Sequence, residues 1–345
     1  MIAILVAAQV VLPLLMLLWL ALQPAASRLG FALQVAGIGA LLLSMAWAAP
    51  WTVVPWWLPR VHGTLWAGAT LWHVLHGRAV RVTLLPARSA GWTAAALSAA
   101  MLVIGAWLGG AAFMGRGLPE APVLDIVNPL GPGRYLVGNG GGNELVNPHL
   151  RTLDPAVERY RPWRGQSYAI DFVGLNRWGS RAAGLSPSHP SAYAIFGAAV
   201  HAPCAGQVMA VESDLPDLEI PNQDVINRLG NHLILQCGDA VVVLAHLKRG
   251  SIAATAGRAV VVGDLLGEVG NSGASTEPHL HIHAQRQAAG GEPPISGEPI
   301  ALRIDGRFLV RNDRINVRER RDAPGRRARG GSGPALIIPS SGRGA

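Results

Sequence analysis

The chain has 345 residues and a formal net charge of +8, and half of its residues are hydrophobic. The first Asp, Glu or Lys in the sequence is Glu120, so the N-terminal third lacks the acidic residues that a water-exposed surface normally carries. The arginines form no stripe interleaved with aromatic residues, which argues against a nucleic-acid-binding protein. Composition therefore predicts a lipid-embedded N-terminal part followed by a soluble part.

Three apolar stretches in the N-terminal part are long enough to cross a bilayer. A transmembrane helix needs about 20 consecutive apolar residues, and residues 1–22, 29–51 and 92–113 meet this requirement. The first stretch lacks the basic start of a cleaved secretory signal. We therefore predict a transmembrane anchor over residues 1–115, embedded in the lipid bilayer. Residues 64–75 are also fairly apolar and suit an interfacial or re-entrant helix.

Arginine bias gives the predicted orientation, because short cytoplasmic loops are enriched in Lys and Arg. The loop between the second and third stretches carries four arginines and no acid, whereas the link between the first two carries only Arg28. The four are Arg60, Arg78, Arg81 and Arg88. The sequence thus predicts a cytoplasmic N-terminus, an external link, a cytoplasmic loop and an external C-terminal domain. A fourth full crossing would reverse the side of that domain.

From about residue 122, short β-branched runs alternate with Gly, Pro, Asn and Asp, which is typical of strands joined by turns. Residues 122–312 are therefore predicted to form an all-β domain. Its two cysteines, Cys204 and Cys237, suit either one disulfide outside the cytoplasm or two buried thiols. Residues 313–345 are rich in Arg, Gly, Pro and Ser and predict a disordered basic tail, either simply solvated or in contact with anionic polymers.

A strand with three alternating histidines carries the strongest chemical signal. Side chains alternate along a strand, so His279, His281 and His283 lie on one face. Burying three imidazoles is costly unless they have polar partners, and a metal ion is a natural partner for imidazole. His283 is predicted either to orient a ligand histidine through a hydrogen bond or to be an ordinary core residue.

Four ordered blocks around this strand resemble the LytM/lysostaphin-type metallopeptidases. They cover roughly residues 130–300, and several blocks in the right order are more specific than one motif. The blocks are Tyr168-Ala169-Ile170-Asp171-Phe172, Val200-His201-Ala202-Pro203 with Gly206-Gln207-Val208, Leu244-Ala245-His246-Leu247-Lys248, and Asn271-Ser272-Gly273 leading to Glu277-Pro278-His279-Leu280-His281. The resemblance implies a compact antiparallel β-sandwich with a central groove.

The resemblance also implies a zinc-dependent endopeptidase. Asp171 and His281 would bind Zn²⁺, while His246 and His279 would flank the attacking water as general base and transition-state stabiliser. The implied substrate is the cross-linking peptides of bacterial peptidoglycan. The implied location is the bacterial cytoplasmic membrane, crossed several times, with the domain on its periplasmic or extracellular side.

The sequence departs from the first ligand motif of this family, H-x-x-x-D, because Ser167 stands four residues before Asp171. One explanation is a substitute third ligand, His149; the simpler interpretation of His149 is a loop histidine. The other explanation is a degenerate module that binds or activates other cell-wall hydrolases, or a domain that only senses or scaffolds. Four retained polar side chains aimed at one point favour the enzyme.

Overall fold

The computed structural model describes residues 2–24, 27–76, 82–290 and 292–318 of the chain. Two of the predicted loop arginines, Arg78 and Arg81, lie outside these described residues, as does the predicted tail from residue 319 onward. The described part consists of an N-terminal helical bundle and a C-terminal β-domain.

The bundle contains five α-helical segments within the described residues. They are α1 (Ile2–Val6), α2 (Leu12–Leu22), α3 (Arg28–Ala48), α4 (Leu58–Leu75) and α5 (Ser89–Met114). A π-helical segment, Ala7–Val11, joins α1 and α2 into one helix. This joined helix, α3 and α5 are each long and apolar enough to cross a membrane. They correspond to the predicted stretches 1–22, 29–51 and 92–113.

Small residues bring α3 and α5 into close contact along parallel paths. A Cβ added to Gly37 would clash with the Ser98 carbonyl oxygen, and one added to Gly105 would lie 2.6 Å from the Ala40 carbonyl carbon. Membrane helices commonly approach each other through such small residues. Because residue 37 lies opposite 98 and residue 40 lies opposite 105, the two helices run in the same direction. The chain must therefore cross back between them.

The helix α4 makes this return, running antiparallel to α3. Trp66 donates from Nε1 to the Val35 carbonyl oxygen at 3.0 Å, near the middle of α3. In the last turn of α4, His73 Nε2 lies 3.0 Å from the Leu20 carbonyl oxygen, near the end of α2. With 18 residues, α4 is about 27 Å long at 1.5 Å per residue, close to the thickness of the hydrocarbon core of a bilayer.

The predicted placement of the two connecting segments is wrong as a result. The link before α3 and the loop before α5 were expected on opposite sides of the membrane. In the structure, the Arg28 amide donates to the Thr83 carbonyl oxygen at 2.9 Å, so these two segments lie at the same end of the bundle. The physical reason is that α4 packs along the whole bundle. Its arginine and two histidines make it less apolar than the other helices, so the sequence did not predict it as a crossing.

The β-domain is formed by thirteen strands within the described residues. They are β1 (Val123–Ile126), β2 (Gly133–Asn139), β3 (Ile170–Gly174), β4 (Ala199–His201), β5 (Gly206–Glu212), β6 (Asn231–Cys237), β7 (Ala240–Leu247), β8 (Ala259–Val260), β9 (Leu265–Glu268), β10 (Leu280–Arg286), β11 (Pro299–Ile304), β12 (Arg307–Phe308) and β13 (Arg314–Val317). The main path of the large sheet is β13-β2-β3-β10-β7-β6-β5-β8, and β4 pairs with β9 in a second, two-stranded sheet. Apart from the parallel β1–β11 pair, these pairings are antiparallel.

A shared hydrophobic core joins the two sheets face to face. Val200 on β4 and Leu266 on β9 are fully buried in the same cluster as Leu244 on β7 and Ile282 on β10. Strands buried on both faces are rich in Val, Ile and Leu, as β7 is. The antiparallel fold class predicted from the sequence is therefore confirmed, and β7 and β10 lie at the centre of the large sheet.

The ends of this domain differ from the predicted boundaries in one respect. The strand β13, Arg314–Val317, pairs with β2 in the large sheet, with Ile315 opposite Tyr135. The β-domain thus continues past residue 312, into the segment predicted to be a tail. Cys204 and Cys237 are joined in a disulfide, which ties the loop after β4 to the end of β6.

Candidate metal centre

Strand pairing brings an acidic residue and a histidine together at the centre of the large sheet. Asp171 on β3 and His281 on β10 are direct cross-strand partners, and His281 also lies opposite Ala245 on β7. Facing residues of an antiparallel pair have Cβ atoms about 5 Å apart. The His281 Nδ1 atom lies 2.9 Å from Asp171 Oδ1. Two residues 110 positions apart in sequence therefore meet in one site.

His149, together with Asp171 and His281, forms a set of three possible metal ligands, called the donor set below. Its Nε2 atom lies 2.9 Å from Asp171 Oδ2, and the ligand atoms of His149, Asp171 and His281 all lie within 4.8 Å of one another. Two imidazoles and one carboxylate on three separate segments match the donor set of a catalytic zinc site, in which a fourth position stays open. The residues present therefore fit a zinc ion.

Local structure fixes the position of His149. It lies in a 3₁₀-helix, Pro148–Leu153, whose first turn is capped by Asn147: the Asn147 Oδ1 atom accepts a hydrogen bond from the His149 amide. The side-chain Nδ2 atom of Asn147 donates to the carbonyl oxygens of Gly141 and Ala169. Ala169 lies two residues before Asp171. The buried Asn147 side chain therefore couples this helix to the start of β3.

The Ser167 hydroxyl forms hydrogen bonds within the protein and is not positioned as a metal ligand. This buried hydroxyl donates to the Arg164 carbonyl oxygen at 2.6 Å and lies 2.8 Å from Thr152 Oγ1. Thr152 in turn donates to the His149 carbonyl oxygen. The residue at the family's usual ligand position therefore fastens the helix that carries His149.

A second histidine pair faces the donor set. The ring centroids of His246 and His279 are 4.6 Å apart. His246 Nδ1 lies 2.9 Å from the Ser272 carbonyl oxygen, and His279 Nδ1 lies 2.8 Å from the Glu277 carbonyl oxygen. A carbonyl oxygen can only accept, so both Nδ1 atoms carry the hydrogen. Both Nε2 atoms are therefore left as proton acceptors.

His246 is held in an uncommon backbone conformation. Its φ is +60°, in the left-handed region that residues other than glycine rarely occupy. The register between β6 and β7 shifts at this point, between the pairs Asn231–Leu247 and Leu233–Leu244. Such bulges re-aim a side chain, and backbone outliers of this kind cluster at functional sites.

Two groups of three side chains could each hold a metal ion, and His281 belongs to both. His246, His279 and His281 also have ligand atoms within 4.8 Å of one another. The set that contains Asp171 is the better match to a dication, because it supplies a negative charge. His279 Nε2 lies 3.8 Å from Asp171 Oδ1, at the edge of that set.

His283 supports His281 from behind. Its Nδ1 atom lies 3.0 Å from His281 Nε2, while its own Nε2 is buried without a hydrogen-bond partner among the described residues. A ligand histidine commonly binds the metal through one ring nitrogen and donates from the other to such a partner. This contact matches the first of the two interpretations of His283.

Burial controls the protonation of these groups. Burial lowers the pKa of His246 well below 6.5, and the neighbouring His279 and His281 lower it further. Burial alone would raise the pKa of Asp171, but the adjacent His149 and His279 outweigh it and hold the pKa of that carboxyl well below its usual range. An ionised carboxylate is the state in which Asp171 binds a metal.

The stability of metal-free protein is expected to fall as pH decreases from about 7.5 to 5.5. Burial lowers the pKa of His246, His281 and His283 below 6.5, so in this window the unfolded chain binds protons that the folded chain does not. The slope of stability against pH is then positive, and each histidine contributes up to about 1 kcal/mol over the window.

Urea denaturation of the chelator-treated protein in detergent, at both pH values, measures this effect. The control is His283→Phe, which is expected to remove about a third of the pH dependence, since one of three contributing histidines is lost. A stability that is flat across the window would contradict the buried, neutral state of these three residues.

The site lies in a groove with three adjoining parts. The central cavity has a volume of about 240 Å³ and contains Asp171, His246, His279 and His281. An apolar cavity of about 280 Å³ adjoins it and shares Trp163 on its wall. A third cavity, of about 160 Å³, lies on the other side of His279.

Sequence reasoning identified the five residues that surround the centre, but it did not identify their supports. Asn139 donates from Nδ2 to Asp171 Oδ2 at 2.8 Å, and the buried Arg311 donates from Nη2 to Asn139 Oδ1 at 2.9 Å. Both are far from the motifs along the chain. The one available signal was Arg311 itself, a charged residue directly after the apolar run Phe308-Leu309-Val310.

Comparison with known proteins gives a partial match. Residues 192–293 match the family model described as peptidase family M23. This segment contains His246, His279 and His281, whereas His149 and Asp171 precede it. None of the curated proteins matches the chain significantly.

Several solved structures are similar to part of the chain. The catalytic domain of the antimicrobial peptidase lysostaphin from Staphylococcus simulans is 21% identical, with 36% of this chain and 69% of that chain covered and a TM-score of 0.24. A mutant catalytic domain of the prophage-encoded M23 protein EnpA from Enterococcus faecalis is 22% identical, with 36% and 71% covered and a TM-score of 0.23. A zinc-containing peptidase from Vibrio cholerae is 20% identical, with 34% and 46% covered and a TM-score of 0.22. It is the family-model match, over residues 192–293, that gives this part of the chain the pattern of peptidase family M23.

Proposed function

We propose that this chain is a membrane-anchored zinc metalloendopeptidase that hydrolyses peptide bonds of peptidoglycan outside the cytoplasmic membrane. The observation that supports it best is that two groups of side chains face each other in one groove. One is the donor set His149, Asp171 and His281; the other is the pair His246 and His279, with both Nε2 atoms free to accept a proton. The substrate class rests on the resemblance of the motifs to cell-wall peptidases.

The chemistry divides between the metal and the two free histidines. His149, Asp171 and His281 would hold a Zn²⁺ ion, which would supply Lewis-acid activation of the attacking water and of the scissile carbonyl group. The Nε2 atom of His246 or His279 accepts the proton of the attacking water, because each ring keeps its own hydrogen on Nδ1. The protonated ring then delivers that proton to the leaving amine. The backbone carbonyls of Ser272 and Glu277 hold the two rings in the required tautomer.

The burial of His246 suits it to the role of base. Its pKa is lowered chiefly by burial, so the ring is neutral at pH 7 and able to accept a proton. His279 is only partly buried and lies at the border of the central and third cavities. We therefore assign abstraction of the water proton to His246. His279 takes the second acid–base position, where its Nε2 atom takes up a proton and donates it to the charge that develops on the substrate.

Metal removal tests this function directly. The full chain in detergent is expected to contain about one equivalent of zinc and to release new amino termini from purified peptidoglycan sacculi. A chelator is expected to abolish the release, and added Zn²⁺ to restore it. A folded protein with neither zinc nor hydrolysis would instead indicate the degenerate binding module.

We further propose that the anchor crosses the membrane four times, with the start of α1 on the same side as the β-domain. Gln9 near the start of the first helix donates to the Pro50 carbonyl oxygen at 2.9 Å, close to the β-domain. At the opposite end lie Arg28, whose backbone amide donates to the Thr83 carbonyl oxygen, and Arg88, the N-cap residue of α5. The positive-inside rule then places that basic end in the cytoplasm and the β-domain outside.

Aromatic residues at the junction agree with this orientation. Trp57 donates from Nε1 to the Trp178 carbonyl oxygen, and both indoles are exposed. Trp56 lies between the guanidinium groups of Arg60 and Arg314, 4.6 and 3.6 Å from its ring centroid. Tryptophan and arginine are favoured at the headgroup level of a bilayer. Aromatic belts occur at both faces of a bilayer, so these residues support placing the junction at a membrane–water interface, and the arginine bias assigns that interface to the outer face.

Cysteine labelling in intact spheroplasts tests the four-crossing topology. Gln23→Cys before α3 and Ala87→Cys before α5 are exposed positions, and both are expected to resist a membrane-impermeant maleimide. Asn222→Cys in the β-domain is expected to react. Permeabilised cells supply the control, in which all three must react. Labelling of Gln23→Cys without labelling of Ala87→Cys would support the three-crossing arrangement and rule out this proposal.

A further inference from the structure

A buried arginine joins the helical bundle to the metal centre. Arg311 follows β12 and is only 8% exposed. Its Nη1 atom donates to the carbonyl oxygens of Ala48 and Leu145 at 2.9 and 2.7 Å, and its Nε atom donates to the Gly138 carbonyl oxygen at 3.1 Å. Ala48 is the last residue of α3. The arginine thus caps a membrane helix at the end where a cation is favoured.

The fourth contact of this guanidinium leads to the metal ligand. Arg311 Nη2 donates to Asn139 Oδ1 at 2.9 Å, and this donation fixes the amide so that Nδ2 faces Asp171. Asn139 Nδ2 then donates to Asp171 Oδ2 at 2.8 Å. The same carboxylate oxygen lies 2.9 Å from His149 Nε2. A chain of two side chains therefore connects the end of α3 to the proposed zinc ligand Asp171.

The neighbouring residue locks the same junction. Asn312 Nδ2 donates to the Ala49 carbonyl oxygen at 2.9 Å, and Asn312 Oδ1 accepts from the Trp51 amide at 3.2 Å. Asn312 has a φ of +70°, which asparagine tolerates better than most residues. The last carbonyls of a helix need partners from outside it. Here the β-domain supplies them through two consecutive side chains.

The segment that follows α3 also forms part of the groove. Pro50 and Thr52 line the third cavity together with Asp171, Glu277 and His279. Thr52 is 9% exposed and contributes to the wall opposite Gly138. A substrate that extends past His279 in this direction would contact the anchor.

We propose that the helical bundle is a component of the catalytic site and not only an anchor. Arg311 is a positioning residue that holds Asp171 through Asn139 and fixes its position relative to the end of α3. The Pro50–Thr52 segment forms the membrane-side wall of the substrate groove. This inference rests on the proposed peptidase function. It commits the substrate to lie along the outer surface of the membrane, with one end against the α3–α4 segment.

Zinc affinity of the full chain, measured by competition with a chromogenic chelator, tests the positioning role. Arg311→Gln and Asn139→Ala are each expected to weaken zinc binding by about 10- to 100-fold, the usual effect of removing a partner of a ligand. Arg311→Lys is expected to recover only part of the affinity, because an ammonium group cannot reproduce the planar fork. The double variant is expected to bind zinc as tightly as the single variant with the lower affinity, because both residues act through the same hydrogen-bonded chain.

The control is Arg303→Gln, which removes an exposed arginine paired with Asp125 on β1, away from the groove. It is expected to leave zinc affinity unchanged. Wild-type zinc affinity in folded Arg311→Gln would overturn the positioning role while leaving the peptidase function intact. Absence of zinc and hydrolysis in the wild-type chain would instead overturn the proposed function. Protease resistance of the β-domain separates loss of zinc affinity from loss of folding, and Asn139→Ala keeps the test valid if Arg311 variants unfold.

The wall is tested by filling the third cavity. Thr52→Trp is expected to raise KM for a cross-linked peptide about tenfold, the effect of losing roughly 1.4 kcal/mol of binding, with zinc affinity unchanged. The matched control is Val262→Trp, at an exposed position in the turn between β8 and β9. An unchanged KM in Thr52→Trp would exclude the anchor from the substrate path.

Discussion

Replacement of His149 by alanine is expected to weaken zinc binding by about 100- to 1,000-fold, because the total binding free energy of roughly 10–16 kcal/mol is shared among only a few donors. Hydrolysis should fall with metal occupancy. The basis is the position of His149 Nε2, 2.9 Å from Asp171 Oδ2 and within reach of the same ion as His281. Equilibrium dialysis against a zinc buffer, followed by elemental analysis, measures the change.

Ser167→Ala is the matched control for this substitution. Ser167 occupies the position of the usual family ligand, but its hydroxyl is bonded to Thr152 and to the Arg164 carbonyl oxygen. Its loss is expected to cost about 1 kcal/mol of stability with zinc stoichiometry unchanged. Full zinc content in His149→Ala, or loss of zinc in Ser167→Ala, would show that the third ligand lies elsewhere.

Replacement of His279 by alanine is expected to separate metal binding from catalysis. Zinc affinity should remain within a few-fold of wild type, whereas kcat for peptide hydrolysis should fall by about 100- to 10,000-fold, the range typical of a lost general acid–base group. The reason is the tautomer: His279 donates Nδ1–H to the Glu277 carbonyl oxygen and presents Nε2 to the groove, beside the donor set.

His246→Ala supplies the comparison, since His246 holds the same tautomer through Ser272 and is more deeply buried. A comparable loss of kcat is expected, and the double variant should lose little more than either single one because the pair acts as a unit. Loss of zinc in either single variant would identify the alternative donor set of His246, His279 and His281 as the ligands.

The central strand shows how much of the site the sequence could predict. Alternation along β10 places His281 and His283 on one side irrespective of the rest of the fold, and the structure shows them in contact at 3.0 Å. The ordered motifs also predicted that Asp171 and His246 belong to the same site. Strand pairing brings them there, because β3 and β7 are the two neighbours of β10 in the sheet.

The third donor shows where such prediction ends. His149 and Asp171 are 22 residues apart, with two 3₁₀-helices between or beside them and no repeating pattern that relates the two positions. Their approach depends on Asn147, whose side chain bonds to backbone groups of three different segments. Contacts of this kind leave no periodic trace in a sequence, so the substitute-ligand interpretation and the loop-histidine interpretation stayed open.

The antiparallel β-domain, three helices apolar enough to cross a membrane and the histidines and aspartate of the groove were predictable, because each follows from a local pattern of hydrophobicity or from adjacent motif residues. The path of the helical bundle and its contacts with the β-domain were visible only after folding. The partly polar helix α4 acquires its place by packing against α2 and α3. Arg311 contacts the end of α3 only because the segment between β12 and β13 folds back onto it, 263 residues along the chain, and other carbonyl groups of the β-domain surround the guanidinium group.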